Sequence, residues 1–273
     1  MQNRLFIENI LEQQLTQEGY LTLPLLDEAI LTKIREYYNS LNIINNTNCL
    51  AANIVLTEEQ NNTINEYFKE LLLVPLEKYF VDFTIYGASF SIKKNHHPEL
   101  QLHQDPSNID EENAIAYTIW IPIFDVNKDN GAMFLVPKSH LFFDNYISYT
   151  LPSCLIDRKL VLNRYIKTID MKAGEALLFT NKLLHGSYIN TKEQDRVIVI
   201  LTITNKLAKF VYYNKKDQNT ISKYIVEPLD LMNSYQDFSV GRLPKNANFD
   251  RDIKYTHKHI DTVDLYKKLL NTN

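Results

Sequence analysis

The stretch Gln101-Leu102-His103-Gln104-Asp105-Pro106 sets an imidazole and a carboxylate two positions apart. In an extended strand, residues i and i+2 project to one face, so His103 and Asp105 can look into one pocket. Pro106 cannot donate to a central ladder, which puts the pair at a strand end, where the backbone opens. One imidazole nitrogen and one carboxylate oxygen make two ligands of a mixed metal site. His185, in Leu184-His185-Gly186-Ser187, offers a third. Two His and one carboxylate on one face of a metal, with open positions opposite, is the arrangement that suits Fe(II) and oxygen chemistry. An isolated His-x-Asp is more often a surface hydrogen bond than a ligand pair, so the flanking segments must decide.

Composition bounds the answer. The 273 residues are 45% hydrophobic and 23% charged, ample for one large core or two small ones. A net charge of −4 argues against a nucleic-acid or anionic-membrane partner, which wants a basic face. Six glycines leave no room for a glycine-rich phosphate loop. Cys49 and Cys154 form no framework, although they could bridge, and a reducing compartment is the default. The first eight residues hold no long apolar run, and Leu71-Leu72-Leu73-Val74-Pro75-Leu76 is too short to span a bilayer. The expectation is a soluble cytoplasmic protein; its oligomeric state stays open.

The elements that must position the three residues follow from the periodicity. Helices are predicted over 4–18, ended by Gly19, over 28–41, capped by Asp27, and from the Thr57-Glu58-Glu59-Gln60 capping box to about Leu73. Tyr20–Leu23 reads as a short strand, and 42–53 as a loop. From Phe83 the pattern changes to strands: 83–93, 100–103, 114–123, 132–136, 176–180, 184–190, 196–204 and 210–213. Short strands without interleaved helices suggest a sandwich or barrel. The division is a helical support over 1–80, a core over 83–213 with an insertion at 141–170, and a polar extension over 214–273 ending in a helix near 262–270.

The flanks then agree in order. Trp120-Ile121-Pro122-Ile123-Phe124-Asp125 is followed by Asn130-Gly131-Ala132-Met133-Phe134-Leu135-Val136-Pro137, then Gly174-Glu175-Ala176-Leu177-Leu178-Phe179, His185-Gly186-Ser187 and Arg196. This series resembles the phytanoyl-CoA dioxygenase family of Fe(II)- and 2-oxoglutarate-dependent oxygenases, over roughly residues 15–205. The resemblance implies a mainly β fold, a double-stranded β-helix of the jelly-roll, cupin-like kind with flanking helices. It implies His103, Asp105 and His185 as Fe(II) ligands, and Arg196 as the grip on the far carboxylate of 2-oxoglutarate, assisted by Ser187. Trp120 falls where the family places an aromatic beside the cosubstrate. Gln101, on the strand face of His103, could touch the cosubstrate or the substrate.

The residues support this independently. His185 and Ser187 alternate onto one strand face, and a planar guanidinium holds a carboxylate bidentately. If Val197 and Val199 pack outward, Arg196, Ile198 and Ile200 face in. His96 and His97 read as solvated loop residues, His140 as a turn support, and His257 and His259 as exposed. The expected activity is hydroxylation of an unactivated C–H bond of a small molecule, with Fe(II), 2-oxoglutarate and O2 as cofactors and succinate and CO2 as products. Asp105 stands where halogenases of this chemistry carry a small residue, so halogenation is not expected. The alternatives are a metal-binding jelly roll without turnover, or an oxygenase acting on a peptide. Substrate choice is expected to lie in 86–100, 141–170 and the tail after 205.

Overall fold

The computed structural model describes residues 4–41, 56–153, 164–238, 241–257 and 259–272. Cys49, Cys154 and the expected 42–53 loop lie outside the described residues.

Three helices open the chain: α1 (Asn9–Glu18), α2 (Glu28–Ser40) and α3 (Glu58–Glu77). Asp27 accepts the Ile30 N–H at the start of α2, and Thr57 and Gln60 form the reciprocal capping box of α3. The α1 helix starts later than its apolar spacing suggests. Leu5 and Phe6 are buried instead in an extended segment, where Phe6 bridges to Phe80.

Two antiparallel sheets form the core. The larger has the order β1-β7-β4-β9-β2, from β1 (Tyr20–Pro24), β7 (Glu175–Phe179), β4 (Ala116–Pro122), β9 (Arg196–Asn205) and β2 (Phe83–Lys93). The smaller has the order β3-β8-β5-β6, from β3 (Leu100–His103), β8 (His185–Ser187), β5 (Met133–Leu135) and β6 (Lys167–Ile169). Together they are the expected jelly roll. The helices pack on the outer face of the larger sheet, where Leu72, Phe68 and Ile34 meet Phe90, Val197 and Val199. Ile198 joins Trp120, Met133 and Leu135 between the sheets. The predicted alternation along Arg196–Ile200 is therefore observed.

The tail departs from the sequence reading. Residues 210–213 seed a third sheet, of β10 (Val211–Lys215), β11 (Thr220–Ile225) and β12 (Asn248–Lys254), rather than a strand of the core. The polar character of 214–254 hid these strands: every residue of β12 except Ile253 is exposed, and β11 buries the polar Ser222 and Lys223 beside Ile221. Lys223 of β11 and Asp110 form a buried ion pair at 2.7 Å, tying this sheet to the loop that follows Asp105. The short helices α4 (Pro228–Asn233) and α5 (Tyr235–Phe238) follow, and α6 (Thr262–Leu270) ends the chain where predicted.

Candidate active site

β3 and β8 lie side by side, with His103 directly opposite His185 and their ring centroids 4.3 Å apart. Asp105 lies just past the end of β3, its N–H bonded to the Asn181 carbonyl at 3.0 Å. Asp105 Oδ1 stands 3.7 Å from His103 Nε2 and 3.6 Å from His185 Nε2. One donor atom from each residue lies within 4.8 Å of the others, and this is the one such group among the described residues. A first-row divalent ion bonds N and O donors at about 2.0–2.2 Å, a span this triangle accommodates.

The tautomers are arranged for a metal. His103 Nδ1 donates to the Gln101 carbonyl at 2.8 Å, and His185 Nδ1 to the Leu183 carbonyl at 2.9 Å. Each Nε2 lone pair is left facing Asp105, the outer-contact pattern of metal-binding histidines. Burial works against the Asp105 carboxylate, but the neighbouring His185 and His103 hold it below its usual range. Burial also works against a charged His185, and the Asp105 carboxylate outweighs it, so that ring is raised. This concentration of coupled charge is what a divalent cation resolves by binding.

Gly186 has to be glycine. A Cβ there would collide with the Leu100 carbonyl and the Phe134 ring, which cross close beside β8. Without that approach His185 could not face His103.

A second buried polar cluster touches β8 at Ser187, two residues past His185. Arg196 is 5% exposed, its guanidinium 5.1 Å above the Trp120 ring, with Nη1 donating to the Gly131 carbonyl at 2.9 Å. Its Nε is buried without a hydrogen-bond partner. Lys93 pairs with Arg196 across β2 and β9 and is fully buried. Its Nζ donates to Ser187 Oγ at 2.9 Å and to the Ser187 carbonyl at 3.2 Å. Burial pulls Arg196 down to about 9, and burial plus the Arg196 charge pulls Lys93 down to about 8. Neither forms an ion pair among the described residues. Two buried cations, one of them with an orphaned donor, fit an incoming carboxylate.

Lys93 is the residue sequence reasoning passed over. Its signal was parity: it follows Ser89 and Ser91 on one side of an otherwise apolar strand, directly before β2 ends. Gly131 belongs with it, at φ 88° and with Lys93 Cδ only 2.9 Å from where a Cβ would stand.

The other predicted residues separate. Trp120 and Ser187 are buried beside Arg196 and Lys93 as described. Gln101 is not brought in; its side chain is exposed and donates to Glu99. The reason is a register shift between Leu100 and His103, which breaks the simple alternation and leaves Leu100 and His103 on the cavity side. His96 is exposed, and His140 donates from Nε2 to the Thr16 carbonyl at the end of α1. His257 is half-buried rather than exposed, in a cleft that also reaches His103.

A cavity of about 330 Å³ opens against His103 and Asp105. Its walls include Tyr86, Tyr149 and Met232, one from each segment where substrate choice was expected.

With this geometry in hand, the likeness to known proteins is specific. The family model for phytanoyl-CoA dioxygenase (PhyH) matches residues 33–198. The chain belongs to that family, and it is a 2-oxoglutarate-dependent oxygenase of the Fe(II), 2-oxoglutarate and O2 class. No curated protein matches it by sequence. Among solved structures it is similar to the epimerase SnoN of nogalamycin biosynthesis, in complex with Fe3+, α-ketoglutarate and nogalamycin RO. There the identity is 16%, the coverage 74% of this chain and 86% of that one, and the TM-score 0.57. HygX from Streptomyces hygroscopicus with iron bound shares 13% identity over 74% of this chain and 88% of its own, at TM-score 0.51. At these identities the likeness is one of fold.

Among the described residues, no helix is long and apolar enough to cross a membrane.

Proposed function

We propose that His103, Asp105 and His185 hold Fe(II), that Arg196, Lys93 and Ser187 hold the far carboxylate of 2-oxoglutarate, and that the enzyme hydroxylates a C–H bond of a small molecule. The observation that carries this is the pairing of the two sites. A three-donor metal cluster on the smaller sheet and two buried cations without an ion-pair partner among the described residues, on the larger sheet, are joined where Lys93 reaches Ser187, two residues past His185. A structural metal site has no use for the second.

Iron held by these three residues supplies activation of dioxygen coupled to oxidative decarboxylation of 2-oxoglutarate. The chain supplies the rest. The Gln101 and Leu183 carbonyls fix both ring orientations, so that three donors converge and the opposite face stays open. Trp120 closes one side of the guanidinium and excludes water from its face. Lys93 and Ser187 lock one another, so the ammonium is aimed before the cosubstrate arrives. The 330 Å³ cavity on the His103–Asp105 side is at the small end for ligand sites, which favours a metabolite over a peptide.

The test is succinate formation from 2-oxoglutarate by the Fe(II)-loaded protein in air. Succinate that requires added Fe(II) is expected. Its absence, with iron and 2-oxoglutarate both bound, would support a metal-binding protein without turnover.

A further inference from the structure

The cavity against His103 and Asp105 has a one-sided charge. Among the described residues its lining contains no Lys or Arg; the two acids are Asp105, assigned to iron, and Glu111. Glu111 forms no ion pair with a described residue. Its carboxylate accepts from the Asn181 side-chain amide, and the Asn181 carbonyl accepts the Asp105 N–H, which fixes Glu111 relative to the metal end. Burial pushes the carboxyl up to about 7, against the pull of Lys182 and the hydrogen bonds from Asn181 and Ser107. Glu111 stands between this cavity and an outer groove, and Lys182 lines the groove but not the cavity. Elsewhere on the cavity wall, Ser89 Oγ is buried without a hydrogen-bond partner. An acid facing a cavity with no cation of its own is completed by a cation brought in by the ligand. The same wall repels carboxylates and phosphates.

We propose that the cavity selects a small molecule carrying a protonated amine, which Glu111 receives as an ion pair while the carbon to be oxidised lies toward His103 and Asp105. This rests on reading the cavity as the substrate side of the oxygenase. Glu111 is a specificity-determining residue in this account and takes no part in holding iron or 2-oxoglutarate.

The probes are three molecules of one shape: cyclohexylmethylamine, cyclohexylmethanol and cyclohexanecarboxylate. Each is titrated anaerobically into protein carrying Fe(II) and 2-oxoglutarate, and separately into metal-free protein, with saturation-transfer NMR as the readout. The amine is expected to bind about tenfold or more tighter than the carboxylate. Glu111→Gln keeps the shape and an acceptor for Asn181, so a structural role would survive it; the amine preference is expected to vanish while alcohol binding stays within about twofold. Equal binding of all three, no binding at millimolar concentration, or an amine preference that survives Glu111→Gln would each overturn the proposal. The charge-transfer band of the iron–cosubstrate complex is recorded on the loaded samples. A normal band without amine preference removes this inference alone, whereas a missing band strikes at the cosubstrate assignment and leaves the metal-free titration to decide this one.

Discussion

The two sheets of the barrel divide labour by length. In the larger, β9 spans ten residues and pairs along both β2 and β4, with helices covering the outer face. In the smaller, β8 has three residues and β3 four, and their register slips between Leu100 and His103. Long paired strands bury a continuous apolar face and resist displacement. Short, slipped strands bury less, but they let residues that precede and follow them turn toward one point. His103, Asp105 and His185 come from the second kind of structure. Lys93 and Arg196 come from the first, at the ends where β2 stops and β9 begins, so the anion pocket inherits the rigidity of the larger sheet.

This contrast can be broken from either side. His103→Ala, Asp105→Ala and His185→Ala should each lower Fe(II)-dependent turnover by about a thousandfold or more, since three donors act as one unit. Their thermal midpoints should stay near wild type, because these side chains line a pocket; a large drop would show that the smaller sheet is structural after all.

Phe90→Ala strikes the other sheet. Phe90 is fully buried among Tyr38, Phe68 and the helices, with ring centroids at 5.2 and 5.0 Å. Its loss should cost about 3–5 kcal/mol in denaturant unfolding, while iron affinity of the folded fraction is unchanged.

Lys93→Met keeps the length of the side chain and removes the charge. Apparent 2-oxoglutarate affinity should fall about tenfold to a hundredfold, the value of one charge-assisted hydrogen bond. The sign of the pH effect follows from Lys93 lying near 8 in the free protein. The protonated form holds the carboxylate, so wild-type affinity should weaken as pH rises through about 8, and this slope should be absent in Lys93→Met.

Gln101→Ala should change 2-oxoglutarate affinity and turnover by less than about twofold, because its exposed side chain reaches Glu99 and its contribution to the site is a backbone carbonyl. An effect tenfold larger would restore the strand-face reading of this residue.

The convergence of His103, Asp105 and His185 was legible because ordered flanking motifs singled them out where the His-x-Asp spacing alone did not. The inward face of Arg196 followed from the alternation along its strand. Gln101 was misplaced because alternation was extended through a register shift that no residue type announces. Lys93 was missed because a lysine ending a strand looks like a solvated terminus; only the register with Arg196 makes it a buried cation. In the fold, caps such as Thr57–Gln60 and Asp27 marked helices well, being local. Of the third sheet only the strand at 210–213 was legible, because β12 is solvated, β11 buries polar residues, and both lack the apolar alternation that marks a half-buried strand; the sheet also rests on contacts with Asp110 and Tyr146 far away in the chain.

The central claim is that the buried cations exist to hold 2-oxoglutarate beside the iron. The direct measurement is an anaerobic titration of 2-oxoglutarate into Fe(II)-loaded wild type, Arg196→Lys and Arg196→Ala, following the metal-to-ligand charge-transfer band. Affinity should fall in that order, by about tenfold for each 1.4 kcal/mol lost, with Fe(II) binding nearly unchanged. An Arg196→Ala protein that binds 2-oxoglutarate as tightly as wild type would contradict the account.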